Sequence, residues 1–302
     1  MKRVFLTGAR GFIGSNVIAP LVEHGYEVHA VGREVEAEKC TNVNWHCLDI
    51  LDGRKVSNLM SEIRPTHLLH LAWYTEHGKF WNSLENFQWL EASIALMRSF
   101  YEQGGVRAIM AGSCAEYDWK YGYCTEGVTP CQPATPYGIC KNVMQETLSS
   151  YCSVAGTNSA WGRVFFLYGP GEAKKRLLAS VIDALLQGKT ENCTHGKQIR
   201  DFLYVEDAAR AFVAMLDSSV MGAVNISSGQ PVSLKKFVLT AAEQLGAEER
   251  INFGALEAPL LDPPLLVGNN KRLCKETGWQ PTYDLSSGIA QTIKDWRKRL
   301  GQ

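Results

Sequence analysis

The chain has 302 residues, enough to bury a large core, and its 31 basic and 31 acidic residues give a formal net charge of zero. A neutral chain without basic runs gives no electrostatic reason to expect nucleic acid or an anionic membrane surface as a partner. No apolar run reaches the roughly 20 residues that span a bilayer, and the N-terminus turns glycine-rich before a signal peptide would form. The nine cysteines are scattered without a Cys-x-x-Cys pair, so we expect a cytoplasmic protein with reduced thiols and no metal site.

The first predicted elements frame a glycine-rich turn. Residues 4–6 read as a short apolar strand and residues 27–31 as a second strand; between them a helical pattern runs through Val17, Ile18, Leu21 and Val22 to Gly25. Glycines let the backbone approach a pyrophosphate, and a helix N-terminus offers free N–H groups. The alternative is a turn whose glycines serve helix packing alone. We predict dinucleotide binding by the residues of this turn, Gly8, Arg10, Gly11, Phe12, Ile13 and Gly14.

The end of the second strand distinguishes between the two nicotinamide cofactors. An acidic residue there accepts from a ribose 2′-hydroxyl, whereas arginine suits a 2′-phosphate. This chain has Arg33, and Arg10 lies inside the glycine turn. The sequence therefore favours NADP(H), with NAD(H) possible if Arg33 is only solvated and Glu34 or another group meets the ribose.

Strands and helices continue to alternate, with strands over 43–47, 67–72 and 107–111 and helices over 53–63 and 84–103. This alternation predicts a parallel sheet with right-handed crossovers and with ligands at the carboxyl ends of the strands. We expect further cofactor contacts at those ends, from Asp49, Ile50, Leu71 and Ala72.

A candidate catalytic set follows the fifth strand. Ser113 stands at the end of that strand, where sheet ligands react. Thr135 suits a helix N-cap and Pro136 the first helical position, so Tyr137 and Lys141 share one helix face. An adjacent cation favours the phenolate, so we expect the pKa of Tyr137 to be lowered from about 10. Tyr137 is then the predicted proton donor and acceptor, with Ser113 holding the substrate oxygen.

Together these motifs resemble the extended short-chain dehydrogenases/reductases, the family of nucleotide-sugar epimerases, dehydratases and reductases. The resemblance covers essentially the full length, and its further marks are His70-Leu71-Ala72, Tyr168-Gly169-Pro170, Arg200-Asp201-Phe202, Val205, Asp207, Asn225-Ile226 and Ser228-Gly229. It implies a doubly wound α/β (Rossmann) fold with a smaller C-terminal lobe. The implied cofactor domain covers 1–168 with a return of about 202–225, and the sugar-nucleotide lobe covers 169–201 and 226–302.

The resemblance also implies residue roles and partners. Tyr137 is the implied acid/base, Lys141 lowers its pKa and binds the nicotinamide ribose, and Ser113 orients the substrate oxygen. Arg200 matches an arginine that contacts the diphosphate of a nucleotide-diphosphate sugar. The family further implies a homodimer through a four-helix bundle, formed by the helices at 84–103 and 142–154. Burial inside one chain would produce the same apolar stripes.

Departures from the family pattern narrow the chemistry. Dehydratases carry an Asp-Glu pair directly after the catalytic hydroxyl, where this chain has Cys114 and Ala115, with Glu116 one position late. The epimerase/reductase that makes GDP-fucose uses a cysteine and a histidine where Ala115 and Ser180 stand. Dehydration and two-base epimerisation at C3 and C5 are therefore disfavoured. Phe166 replaces a phosphate-binding asparagine of many epimerases and matches an aromatic residue of the dTDP-4-ketorhamnose reductases.

Two further segments border the expected substrate site. Trp73 and Tyr74 stand in an aromatic loop after the fourth strand, which either shapes the sugar pocket or packs on itself. Pro259, Pro263 and Pro264 predict an extended segment that lines the nucleotide pocket.

The predicted activity is NADPH-dependent reduction of the C4 ketone of a nucleotide-linked 4-keto-deoxy sugar, with Tyr137 as proton donor. A C4-epimerase with tightly bound NAD needs the same Ser/Tyr/Lys set and remains the enzymatic alternative. A reductase of a non-sugar ketone is a third possibility. A redox-sensing or scaffold protein on this fold would be expected to have lost Tyr137 or Lys141, and both are present.

Overall fold

The structure is a computed structural model that describes residues 2–34, 42–258 and 262–301. Its strands are β1 Lys2–Thr7, β2 Tyr26–Gly32, β3 Val43–Cys47, β4 His67–His70, β5 Arg107–Ser113, β6 Tyr123–Cys124, β7 Asn158–Val164, β8 Phe166–Tyr168, β9 Glu191–Cys193, β10 Ile199–Tyr204, β11 Gly222–Ile226, β12 Pro231–Ser233, β13 Ile251–Phe253 and β14 Leu265–Gly268. Its helices are α1 Phe12–Glu23, α2 Gly53–Ile63, α3 Glu85–Glu102, α4 Pro136–Ala155, α5 Leu177–Leu186, α6 Val205–Asp217, α7 Leu234–Leu245, α8 Lys271–Thr277 and α9 Leu285–Leu300.

Seven strands form one parallel sheet in the order β11-β7-β5-β4-β1-β2-β3. This order confirms the predicted doubly wound α/β fold. From β1 the chain adds β2 and β3 on one side of the sheet, and it then returns to add β4, β5, β7 and β11 on the other side. The crossover connections therefore diverge between β1 and β4, which opens a crevice at the carboxyl ends of these two strands. The glycine turn follows β1 and the aromatic loop follows β4, so both predicted ligand-binding segments border that crevice.

The central strands are short apolar runs because helices cover both of their faces. On one face α1 and α6 pack over side chains such as Val4, Leu6 and Ile109. On the other face α2, α3 and α4 cover Phe5 and Leu68. Both faces of the sheet are thus buried, and ligands can reach it at the carboxyl ends of the strands.

One predicted helix is shorter than expected. The apolar pattern that follows Gly171 predicts a helix from about residue 174 to residue 188, whereas α5 spans Leu177–Leu186. Arg176 is extended, with φ −78° and ψ 152°, and forms the N-cap without a side-chain hydrogen bond. The preceding residues therefore stay outside the helix, and of these Glu172, Ala173 and Arg176 border the cavity described below.

A second sheet, β12-β10-β14-β6 with β8 paired to β10, combines strands from the later part of the chain with β6, which follows β5. The buried Asp201 carboxylate joins its strands to the large sheet by accepting hydrogen bonds from Ser228, Gly229 and Gly268. β11 pairs with β7 at the edge of the large sheet. The division into two domains stays a prediction, and Pro259 lies outside the described residues.

Among the described residues, we find no helix with the length and apolar character needed to cross a membrane.

Candidate active site

A cavity of about 970 Å³ opens at the carboxyl ends of the large sheet. It brings together nearly all the predicted site residues, which are distributed over most of the first 200 positions. Those that line it are Gly8, Arg10, Gly11, Phe12, Ile13, Gly14, Arg33, Asp49, Ile50, Leu71, Ala72, Trp73, Ser113, Tyr137, Lys141, Phe166 and Arg200.

Tyr74 departs from this pattern. It was expected in the sugar pocket, but the described cavity wall does not include it, and its hydroxyl donates to Glu76 over 3.0 Å. The Tyr74 side chain is partly buried against the aromatic cluster that contains Trp73, Phe80 and Tyr137, so it packs behind the cavity wall. Phe80 and Trp81 occupy the wall instead.

The glycine turn fits a dinucleotide. Gly8 has φ +70°, and a Cβ there would lie 2.8 Å from the Ala72 backbone nitrogen, so a side chain would push the two loops apart. A Cβ at Gly14 would overlap the Gly8 carbonyl oxygen. Helix α1 starts at Phe12 with a glycine N-cap and no side-chain hydrogen bond. Its first N–H groups have no intrahelical acceptors and can receive a pyrophosphate.

Two arginines border the end of the cavity where β2 stops. Arg33 follows Gly32 directly, and the Arg10 side chain passes close to Gly32. The Arg10 guanidinium also lies 5.5 Å from the Trp45 ring centroid. Asp49 lines the same end, and one of its oxygens accepts from the Leu51 backbone. The charge at this end is suited to an adenosine ribose that carries a phosphate.

Strand β5 and helix α4 bring the three candidate catalytic residues together. Ser113 ends β5 in extended conformation, and its hydroxyl accepts from the Ala115 backbone over 3.2 Å. Thr135 caps α4 by accepting from Gly138, with Pro136 in the first turn as predicted. A Cβ at Gly138 would overlap the Ala115 carbonyl oxygen, so glycine allows the start of α4 to lie against the Ser113 turn.

The direction of the Tyr137 pKa differs from the expectation. Burial raises the pKa of this phenol well above its ordinary value, although a hydrogen bond with Ser113 works against the rise. The Lys141 ammonium lies 6.0 Å from the Tyr137 ring centroid, so one helical turn does not bring the charge onto the phenol. Desolvation therefore outweighs the adjacent cation, and the phenol stays protonated at neutral pH.

Lys141 is almost fully buried, and its ammonium has specific partners. It donates to the Ala111 carbonyl oxygen over 2.8 Å and lies 3.8 Å from the centroid of the Trp73 ring. Burial lowers the pKa of Lys141 to about 7. The ammonium thus links α4 to β5 at the wall of the cavity.

Aromatic side chains surround the Tyr137 ring. The Phe80 and Trp81 ring centroids lie 4.8 and 5.6 Å away, both edge-to-face, and Trp81 also contacts Trp119. The aromatic loop therefore packs against the catalytic tyrosine while it forms the cavity wall. The loop thus both lines the cavity and packs on itself, and its part in a sugar pocket stays a prediction.

The two residues directly after Ser113 bring no carboxylate into the cavity. Cys114 lines it as a thiol whose pKa burial raises strongly, and Ala115 packs in the aromatic cluster. Glu116 is fully buried behind Ser113 and is absent from the described cavity wall. The geometry thus agrees with the departures from the dehydratase pattern.

Sequence reasoning missed two charged residues that follow Tyr168-Gly169-Pro170. Glu172 and Arg176 both line the cavity. Glu172 is buried, one of its carboxyl oxygens has no hydrogen-bond partner in the described structure, and burial raises its pKa to about 8. An orphaned acid of this kind fits a site that receives a polar ligand. The sequence signal for these two residues is the loss of a regular helix or strand pattern after Gly171, before α5.

Arg200, the predicted diphosphate ligand, is buried and ion-paired with Asp262. Asp262 also accepts from Gln198, and the Arg200 guanidinium lies 5.5 Å from the Phe166 ring centroid. These contacts direct the guanidinium along the cavity wall, where it can still meet an anion.

The fold and this cavity define a dinucleotide-binding α/β protein with the Ser/Tyr/Lys set of the short-chain dehydrogenase/reductase type. The model of the NAD dependent epimerase/dehydratase family matches residues 4–227. The chain therefore belongs to that family.

Curated relatives and solved structures span nearly the whole chain. It is 28% identical to CDP-abequose synthase of Salmonella typhimurium, in an alignment that covers 96% of this chain and 97% of that one. It is 25% identical to UDP-glucose 4-epimerase of Rhizobium meliloti, over 100% of this chain and 98% of the relative. The structure of MoeE5 in complex with UDP-glucose and NAD superposes with a TM-score of 0.85, at 25% identity and 99% coverage of both chains.

Proposed function

We propose that this protein reduces the C4 ketone of a nucleotide-linked 4-keto-deoxy sugar with NADPH. The observation that carries the proposal is the cavity that combines Ser113, Tyr137 and Lys141 with no carboxylate in the two positions after the serine. That set suffices for hydride and proton transfer to a ketone and provides no acid/base pair for elimination.

The chain's own residues divide the work around the carbonyl oxygen. NADPH, when bound, supplies the hydride. Tyr137 donates its phenolic proton to the C4 oxygen as negative charge develops there. Ser113 hydrogen-bonds the same oxygen, and the Lys141 ammonium contributes positive charge beneath it.

Arginines toward the two ends of the cavity support NADPH as the cofactor and a nucleotide sugar as the substrate. Arg10 and Arg33 suit the 2′-phosphate that distinguishes NADPH. Arg200 suits the diphosphate of a nucleotide sugar, and the relatives named above include enzymes whose names carry CDP- and UDP-linked sugars.

A C4-epimerase with tightly bound NAD is the second candidate. It is favoured by the full-length similarity to UDP-glucose 4-epimerase and by the NAD in the MoeE5 complex. Its reaction needs the same Ser113, Tyr137 and Lys141, so net cofactor use, and not the set of site residues, distinguishes it from reduction.

The two candidates differ in net cofactor use. We would incubate the protein with NADPH or NADH and with 4-keto-6-deoxyglucose linked to CDP, dTDP, GDP or UDP, and follow cofactor oxidation. A reductase oxidises NADPH in step with the ketone consumed, for at least one nucleotide. Conversion of UDP-glucose to UDP-galactose without added cofactor, with NAD released on denaturation, would contradict the reductase.

Tyr137→Phe tests the proton donor. We expect kcat to fall at least about 100-fold, the lower range of general acid catalysis, with cofactor affinity within twofold of wild type. Tyr121→Phe, which alters an exposed tyrosine outside the described cavity wall, is the matched control. Unchanged turnover in Tyr137→Phe would contradict the mechanism.

A further inference from the structure

Glu116 is a buried carboxylate that the proposed reaction does not use. It stands three residues after Ser113, in the short turn Cys114–Glu116 that follows β5. The side chain is fully buried and lies outside the described cavity wall, so it contacts neither ligand directly. A charge removed from water in this way requires both an ion partner and hydrogen bonds.

The carboxylate holds the backbone of the candidate catalytic serine. Its Oε1 accepts from the Ser113 N–H over 2.7 Å, while the Ser113 hydroxyl accepts from the Ala115 N–H. These reciprocal bonds form a capping box around the turn. The hydrogen bond from the Ser113 N–H to Glu116 fixes the Ser113 backbone. The Ser113 side chain then points to the cavity, where it forms a hydrogen bond with Tyr137.

The carboxylate is itself fixed by strand β7. The Trp161 indole N–H donates to it over 2.9 Å, and the Arg163 Nε donates over 2.6 Å. Arg163 is also buried and donates to the Tyr117 hydroxyl over 3.2 Å. A Cβ at Gly112 would lie 2.6 Å from the Glu116 carboxylate, so the strand approaches it closely. The carboxylate has no room to take another position.

This connection extends into the C-terminal part of the chain. The Tyr117 hydroxyl donates to the Asn225 side chain over 2.8 Å. The Asn225 amide donates to the carbonyl oxygens of Cys124 and Asn269, both over 3.1 Å. The turn that carries Ser113 is therefore tied to the end of β11 and to the segment after β14.

We propose that Glu116, held by Arg163 and Trp161, is a positioning residue that fixes the Ser113 hydroxyl for its hydrogen bonds to Tyr137 and to the substrate oxygen. The inference rests on the proposed function, because it assigns Glu116 an effect only through Ser113. A carboxylate that merely stabilised the fold would affect the enzyme equally with or without the serine hydroxyl.

A double-mutant cycle separates these roles. Glutamine cannot accept from both Ser113 and Arg163 as the carboxylate does, so Glu116→Gln releases one of them. We expect Glu116→Gln to lower kcat about tenfold, with KM and the NADPH dissociation constant within twofold of wild type, on the nucleotide-linked 4-keto-6-deoxyglucose turned over fastest in the panel above. In a Ser113→Ala background the same change should lower kcat by less than twofold.

Asp207→Asn is the matched control, because Asp207 is another fully buried carboxylate that accepts backbone N–H groups, those of Thr282 and Tyr283. Its effect on kcat should be equal in both backgrounds. If Glu116→Gln does not fold, Arg163→Lys replaces it in the cycle and should give a smaller loss, again absent from Ser113→Ala.

A Glu116→Gln enzyme with wild-type kcat, or a tenfold loss that persists in Ser113→Ala, would overturn the inference while the proposed function stands. Full activity in Ser113→Ala alone would instead contradict the proposed role of the serine. The two failures are therefore distinguishable in one set of measurements.

Discussion

Glu172 shows how a single buried acid affects stability. Its folded pKa is raised to about 8, whereas an unfolded glutamate titrates near 4.5. Between these values the native state holds a proton that the unfolded chain has lost. By linkage, this group makes the free energy of unfolding fall as pH rises from about 4.5 to 8.

We therefore predict that Glu172→Gln removes a pH dependence. The difference in the free energy of unfolding between variant and wild type should be small at pH 5 and grow toward pH 8, by up to about 1.4 kcal/mol per pH unit. Urea denaturation at a series of pH values measures it. Comparing the two proteins cancels the opposite contribution of Lys141, whose pKa is lowered to about 7.

Glu76→Gln is the control for this series. Glu76 borders the same cavity, but its hydrogen bonds with Lys79 and Tyr74 lower its pKa, so it is ionised in both states above pH 5. The same pH slope in Glu172→Gln and wild type would show that Glu172 titrates normally in the folded protein.

At the scale of single elements, helix α4 combines structural and chemical tasks. It carries Tyr137 and Lys141 in its first two turns, so its start has to be well ordered. The Thr135 hydroxyl accepts from the Gly138 N–H over 3.2 Å and supplies the cap. Thr135→Ala should lower the free energy of unfolding by about 1 kcal/mol, the usual value of such a cap.

Thr135→Ser should keep most of that stability, since serine offers the same acceptor. Urea denaturation of the two variants beside wild type measures the difference. Equal stability of Thr135→Ala and wild type would show that the cap contributes nothing, and that packing of α4 against β5 alone sets the helix start.

The elements also show what the sequence could predict. β3 and α2 match their predicted bounds because local signals fix them: Asp52 caps α2, and the chain leaves it at Arg64 before Pro65. The glycine turn and the Ser/Tyr/Lys set could likewise be predicted from the spacing of their residues. Local spacing does not contain burial, however, so the direction of the Tyr137 pKa was predicted wrongly.

Contacts between distant segments were equally beyond reach. The Arg200–Asp262 ion pair joins residues 62 positions apart, and the Glu116–Arg163 pair joins residues 47 positions apart. Each depends on which strands become neighbours. The placement of Tyr74 behind the cavity wall likewise depends on how its loop packs against Tyr137, which no periodicity in the loop reveals.

At the scale of the whole molecule, the exposed faces of α3 and α4 suggest an assembly. Phe87 on α3 and Ile139 and Val143 on α4 are exposed large apolar side chains, and the two helices pack side by side. We propose that these faces pair with a second copy in a four-helix bundle, because burial of such side chains favours association.

The combined substitution Phe87→Glu and Ile139→Glu should convert a dimer to a monomer in sedimentation velocity at micromolar concentration. Val128→Glu, which places the same charge at another exposed apolar position away from these helices, should leave the dimer intact. A monomeric wild-type protein under these conditions would contradict the proposal.

The late position of β11 has a consequence for synthesis on the ribosome. This strand completes the edge of the large sheet beside β7, and α6, which precedes it directly, covers α1. A nascent chain that ends near residue 168 therefore has its glycine turn, Ser113, Tyr137 and Lys141 but exposes the backbone of β7 and an apolar face of α1. Such an intermediate presents an unpaired strand edge of the kind that aggregates. We therefore expect a chain truncated after residue 168 to aggregate where the chain that includes α6 and β11 stays in solution, which expression of the two lengths side by side measures.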